Sequence, residues 1–370
     1  MYVSRIPLLV SGGVHFPIRL YACLFLLSAL GAGAWGCSDW HHRVGEIAAG
    51  SGDYEKAADR FLQAAEAGNP QAELQLGLLY YQGLGVEQDR EAALYWLYQS
   101  AKGGNRYAQF RLGQMYEKGE GAPVNYKHAA YWYGLAIESG ESLAEVALAE
   151  LYLDGRGVER NRMRALRFFA SAADAGNAHA QFKLAELYEQ EGADGREVEE
   201  LRRAAAKQEH ALAQAALGRG FRRSGTAEYE RAERWLRRAA GNGNAGAQHE
   251  LAVMLVERGG RLEASRWLER AAKQDYTPAQ VDLAESLTEA GRAKVAVELF
   301  RTAAMKGNAY AQFRLGEHYA DGKGVEANEG LARAWLERAA AEIPGAARRL
   351  ESMGPVEAAQ RTSTSSSPTM

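Results

Sequence analysis

The sequence predicts an all-α fold: an α-solenoid superhelix of about eight helix-pair repeats. Three recurrences predict it. A Leu followed by a small residue returns every 32 to 36 residues, a period that suits stacked helix pairs. Gly-Asn or an equivalent pair stands a few residues before most of these Leu positions, as at Gly68-Asn69, Gly104-Asn105, Gly176-Asn177, Gly243-Asn244 and Gly307-Asn308. Gly takes the left-handed position that ends one helix, and Asn caps the next. Small residues close the second helix of each unit, as at Ala64-Ala65, Ser100-Ala101, Ala172-Ala173 and Ala239-Ala240.

The chain opens on a segment of another kind. Residues 1–19 carry Arg5 and Arg19 and no acid, and Leu20 to Ala34 is an apolar run. At about fifteen residues this run is short for a bilayer span, which takes about twenty. It fits the core of a secretory signal peptide over residues 1–36. Two cleavage sites compete. Ala32-Gly33-Ala34 suits ordinary signal peptidase, and Gly36-Cys37 resembles the end of a bacterial lipobox, which would leave Cys37 as a lipidated first residue. Ala34 and Trp35 depart from the usual lipobox residues. Residues 37–52 read as a linker after the anchor, 53–350 as the solenoid, and 351–370 as a disordered tail ending RTSTSSSPTM. Within the solenoid, Tyr54 to Ala67 reads as a lone helix before the first full unit.

The eight Leu-small pairs are Leu76-Gly77, Leu112-Gly113, Leu148-Ala149, Leu184-Ala185, Leu217-Gly218, Leu251-Ala252, Leu283-Ala284 and Leu315-Gly316. Aromatic residues follow at helical spacing: Tyr80, Tyr116, Tyr152, Tyr188, Phe221 and Tyr319. Trp96, Trp132, Trp235, Trp267 and Trp335 recur on the second helices. Both sets belong to core faces. Repeat length varies in the turn inside each pair. Long repeats carry Gly83-Leu84-Gly85-Val86, Gly119-Glu120-Gly121-Ala122, Gly155-Arg156-Gly157-Val158 and Gly322-Lys323-Gly324-Val325, and the repeats between lack this turn.

A first helix ending Leu-Gly-x-x-Tyr, a Gly-x-Gly-Val turn and an aromatic-rich second helix ending in Ala-Ala and Gly-Asn together resemble the Sel1-like repeat, a longer-loop relative of the tetratricopeptide repeat. The resemblance spans roughly residues 45 to 350 and is strongest in repeats one to three and eight. It implies a non-catalytic scaffold that binds protein partners. With the lipid signal it extends to Sel1-like outer-membrane lipoproteins that support alginate export. Members described as acting weakly on β-lactams resemble a disulfide-paired subset, and this chain has only Cys23 and Cys37.

Nothing in the residues points to catalysis or a cofactor. The Gly-x-Gly turns lack the strand, the third Gly and the Lys-Ser/Thr of phosphate loops. His residues are scattered over different repeats, and no His-Glu-x-x-His or Gly-x-Ser-x-Gly occurs. The formal net charge of -3 gives no reason to expect nucleic acid. The expected partners are proteins of unknown identity and, through the lipid, a membrane; the chain is expected to be monomeric.

By analogy with tetratricopeptide repeats, the first helices line the concave face. The position two before each Leu then reads Leu74, Phe110, Val146, Phe182, Ala215, His249, Val281 and Phe313, either as a partner-facing row or as packing between repeats. Tyr81 belongs to the same face. Charge on it is segregated. Glu117, Glu150, Asp154, Glu186 and Glu189 form an acidic stretch, and Arg219, Arg222 and Arg223 form a basic step beside it. Such a groove would orient a partner electrostatically.

Overall fold

The computed structural model describes residues 36–354. Among them all regular structure is helical, apart from turns. The chain divides into two compact units, meeting at Phe168 and Phe169.

The first unit holds α1 (Cys37–Gly50), α2 (Tyr54–Glu66), α3 (Pro70–Gln82), α4 (Arg90–Lys102), α5 (Arg106–Lys118), α6 (Tyr126–Glu138) and α7 (Leu143–Asp154). Helix α8 (Arg162–Asp174) runs across the boundary. The second unit continues with α9 (Ala178–Gln190), α10 (Gly195–Lys207), α11 (Ala211–Arg223), α12 (Tyr229–Gly241), α13 (Ala245–Glu257), α14 (Arg261–Lys273), α15 (Thr277–Glu289), α16 (Ala293–Met305), α17 (Ala309–Asp321), α18 (Glu329–Ala339) and α19 (Pro344–Ser352). In each unit a first helix packs on its own second helix, and that second helix packs on the next first helix.

The punctuation acts as its chemistry predicts. Gly68, Gly104, Gly176, Gly243 and Gly307 all have positive φ. The Asn after each caps the next helix, its side chain accepting backbone N–H groups, as Asn69 does from Gln71 and Ala72 at 3.0 Å. His210 substitutes for Asn at α11, accepting from the Ala213 amide. All eight Leu of the Leu-small pairs are buried. The small partner is needed because the second helix lies against it. A Cβ on Gly113 would stand 2.6 Å from the Tyr133 ring, and one on Gly218 2.7 Å from Leu236. Trp132 is buried in the core, the other Trp of the set pack at its edge, and Arg238, Arg270 and Arg338 lie over Trp235, Trp267 and Trp335 one turn later.

Two readings of the N-terminal region are corrected. Residues 37–52 are not a linker: α1 fills them and packs on α2, which is therefore not a lone helix. The physical reason is Val44-Gly45, a weak Leu-Gly pair. Gly45 is buried, and a Cβ there would stand 2.6 Å from Phe61. The helix pair is thus complete before the first repeat that the motif reveals. At the other end α19 follows the last pair, burying Ala346. The expected signal peptide and tail lie outside the described residues, except Gly36 and residues 351–354.

A buried glutamine links successive repeats. Gln109, Gln181, Gln214, Gln248 and Gln280, together with the half-buried Gln312, stand three residues before their Leu. Each donates its Nε2 to a backbone carbonyl near the end of the preceding second helix, at 3.0 to 3.4 Å. Each of these carbonyls already accepts a backbone N–H from the turn that follows, as Ala240 does from Gly243 at 3.2 Å, and the glutamine amide adds a second bond while pairing its own N–H. Glu73 takes this place in the first repeat, where burial pushes its carboxyl pKa up.

The Gly-x-Gly turns form a second link. Their first Gly ends the first helix in the left-handed conformation, and their second touches the preceding repeat. A Cβ on Gly85 would stand 2.1 Å from the Tyr54 carbonyl carbon, one on Gly121 2.2 Å from the Arg90 carbonyl oxygen, and one on Gly157 2.2 Å from the Tyr126 carbonyl carbon. In each case the neighbour is the first residue of the preceding second helix.

Candidate protein-interaction surface

The first helices position nearly every residue singled out from the sequence, and they do so unequally. Leu74 and Phe110 are buried in the first unit and Phe182 in the second. Leu74 packs among Ala108 and Leu112 of the next first helix, Phe110 among Ala144 and Leu148, and Phe182 among Ala213 and Leu217. These three do not face a partner. The position two before each Leu is where one first helix meets the next, so the packing alternative holds for them. Phe313 is half-buried against the cluster around α18 and α19, its ring 3.4 Å from where a Cβ on Gly345 would stand.

In the first unit, Tyr81 lies between two guanidinium groups, Arg90 at 3.7 Å and Arg111 at 4.7 Å from its ring centre. Its hydroxyl donates to Glu120 at 3.0 Å. One repeat later the positions of Tyr81, Arg90 and Glu120 hold Glu117, Tyr126 and Arg156. Glu117 accepts from the Tyr133 hydroxyl at 2.7 Å and pairs with Arg156 at 3.3 Å, and Arg156 also pairs with Asp154 at 3.0 Å and lies over Tyr126. Burial, then the hydrogen bond to Glu117, pushes the Tyr133 hydroxyl pKa up, and the charge of nearby Glu150 acts in the same direction. Glu117 and Asp154, two of the acids expected to be offered to a partner, therefore already hold the docked turn of the third repeat. An open groove of about 1090 Å³ runs between Tyr80, residues 86–91 and the turn from Gly119 to Pro123.

In the second unit two residues of the basic step are paired within the chain. Arg219 pairs with Glu250 at 3.2 Å and Arg222 with Glu257 at 2.9 Å, both on the next first helix. The pattern continues: His249 Nε2 lies 2.8 Å from Asp282, and Arg314 pairs with Glu285 at 2.7 Å. Each first helix from α11 to α17 is thus bridged to the next, by ion pairs at Arg219–Glu250 and Arg314–Glu285 and by the His249–Asp282 contact between them. Residues about one repeat apart face each other, so the sequence shows a cluster of like charge where the fold makes pairs. Arg223 is exposed, and its charge helps hold the Glu189 carboxyl below the usual range, behind the hydrogen bond from Arg202. Glu186 pairs with Lys183 on its own helix at 3.0 Å.

Glu189 and Arg202 also edge a compact pocket of about 240 Å³ with an apolar floor of Val198, Ala216, Leu217 and Phe221. Sequence reasoning named Glu189 but missed this pocket. Its only sequence signals are Gly195 and Gly220, which flank the opening, in a repeat without the Gly-x-Gly turn. Among the described residues no group of three or more His, Cys, Asp or Glu is placed to hold a metal ion.

The family model for the Sel1 repeat matches eight segments: 70–105, 106–141, 142–177, 178–199, 211–244, 245–276, 292–308 and 309–342. These cover more than half of the chain. A solved structure of c5321, described as a protective antigen present in uropathogenic Escherichia coli strains and displaying an SLR fold, is 30% identical with a TM-score of 0.67, over 85% of this chain and 72% of that one. A Sel1 repeat protein from Oxalobacter formigenes is 29% identical with a TM-score of 0.57, over 80% of this chain and 89% of that one. No curated protein matches the chain in sequence. The chain belongs to the Sel1 repeat family, and its fold is that of a protein-interaction scaffold.

Proposed function

We propose that this Sel1 repeat protein is an exported, lipid-anchored scaffold that holds protein partners within the cell envelope. The observation that carries this reading is the place of Cys37. It is the first residue of α1 and follows the apolar run Leu20–Ala34 by two residues. A lipid there would set the folded body directly at the bilayer. Trp40 and Ile47 on the same helix are 54% and 73% exposed. They stand one repeat before Ala72 and Leu79, which are buried against α2, and an exposed Trp beside an anchor suits a membrane surface. The likeness to a protein described as a protective antigen supports export. The finer reading is service in an exopolysaccharide secretion complex of the alginate kind, which rests on the lipoprotein resemblance alone.

The experiment is intact-mass analysis of the mature chain with membrane fractionation. A mature chain beginning at a diacylglyceryl, acylated Cys37, and release of Cys37→Ser from the membrane fraction, are the expected results. A chain beginning at Trp35 with no lipid would replace the anchor with a secreted binder. Co-purification with a porin and polymer-synthesis proteins tests the secretion reading separately.

A further inference from the structure

Each junction between repeats contains the same seat, between the first turn of one second helix and the end of the next first helix. In the long repeats the chain fills it itself. Val86 packs into the cluster of α2, Val158 into that of α6, and Val325 into that of α16. One of the short junctions is filled by other means: Tyr229, the first residue of α12, packs into the core and donates its hydroxyl to Glu257 at 2.5 Å. At the junction of α10 with α11 the first residue of the second helix is Gly195, and Gly220 faces it on α11. A Cβ on either would meet nothing within 4 Å. The 240 Å³ pocket is that seat.

The charges match the same equivalence. Glu189 stands five residues after Leu184, as Glu117 stands five after Leu112. Glu117 receives Arg156, the residue between the two glycines of the docking turn. At the vacant junction no turn of the chain supplies this cation, and Arg202 bonds Glu189 from the side. Half of the Glu189 side chain remains exposed, 52%, which leaves carboxylate lone pairs for a second donor.

We propose that the pocket between α10 and α11 binds a glycine-flanked basic turn of a partner protein, of the type Gly-Arg/Lys-Gly-Val, in the place that the chain's own turns occupy at its other junctions. The valine would sit on Val198, Leu217 and Phe221, the second glycine would pass over Gly195, and the cation would meet Glu189. The inference deepens the scaffold reading by naming what one part of it recognises, and it does not depend on the lipid.

The probe is a labelled peptide of the chain's own third turn, residues 153–160, LDGRGVER, titrated into the full chain by fluorescence anisotropy. Saturable binding is expected, with a dissociation constant of the order of hundreds of micromolar, as suits so small a contact. Gly195→Tyr, which fills the seat as Tyr229 does one junction later, should weaken it at least tenfold. Glu189→Gln should weaken it about fivefold, and a peptide with Asp in place of Val158 should not bind. Binding that never saturates, or that survives Gly195→Tyr in a chain melting like the wild type, overturns the proposal. Should Gly195→Tyr disturb folding, the Glu189→Gln chain and the altered peptide decide it, and indifference to both overturns it. Cys37→Ser should leave the titration unchanged, so failure of the anchor and failure of the pocket are separate results.

Discussion

The second and third repeats and the fifth and sixth solve one packing problem in two ways. In the former, a turn with two left-handed glycines lays its backbone against the first residue of the preceding second helix, at distances that leave no room for a side chain. In the latter the turn is short, and neighbouring first helices are tied by Arg219–Glu250 and Arg222–Glu257. The first device is intolerant, because backbone cannot give way. The second is adjustable, because each exposed ion pair contributes little by itself. A region held by adjustable contacts can vary its surface without losing its stack, and there the vacant seat occurs.

The largest expected effect sets the two devices against each other. Gly85→Ala drives a Cβ into the Tyr54 backbone and adds left-handed strain, and it should cost about 3 kcal/mol. Gly259→Ala, in a short turn with a positive φ and nothing within 4 Å, bears the strain alone and should cost about 1 kcal/mol. Urea unfolding measures both, and equal losses would remove the docking argument. The buried amide link, which both kinds of repeat share, comes next. Gln248→Leu removes one of two hydrogen bonds to the Ala240 carbonyl, which keeps the Gly243 amide, and should cost about 1 kcal/mol. Glu73→Gln should act in the opposite direction at neutral pH, raising the melting temperature. The folded state holds the Glu73 carboxyl pKa above its unfolded value, so its contribution is present at low pH and lost as pH rises through the folded value. The gain from Gln should therefore vanish below the ordinary carboxylate range. A gain independent of pH would show that Glu73 is not limited by its charge.

The smallest effect concerns acid. Among the described residues the carboxyls held below their usual range are Glu189, Glu209, Glu263, Asp275 and Asp321, all in the second unit. Hydrogen bonds dominate each: from Arg202 to Glu189, from Arg237 to Glu263, and from Lys323 to Asp321, for example. Their contribution is present above the unfolded carboxylate value and is lost as pH falls through the folded one. Amide protection followed from pH 7 to pH 3, with the intrinsic exchange rate at each pH divided out, should fall in the second unit before the first. A uniform fall would mean that these pairs are thermodynamically silent.

Much of the helix framework was legible in the residues because its causes are local. Asn capping, left-handed Gly and the Leu-small pair each act within a few residues or across one hairpin. Helix α1 was hidden because Val44-Gly45 is a faint version of the pair and because an anchor beside it suggested a linker. The interaction surface was legible only in part. Leu74, Phe110 and Phe182 have the spacing of an exposed row, yet that row is where consecutive first helices touch. Arg219 and Arg222 look like a patch until Glu250 and Glu257, about one repeat away, come beside them.

The sequence by itself determined the repeat, its period, the positions of caps and turns, and the family, because each of these is written in short-range pattern. Tertiary structure alone decided which charges are neutralised, which apolar residues are covered, and that Gly195 and Gly220 open onto a pocket. Those outcomes depend on contacts between residues some thirty positions apart, where stacking sets the distance and no local rule records it.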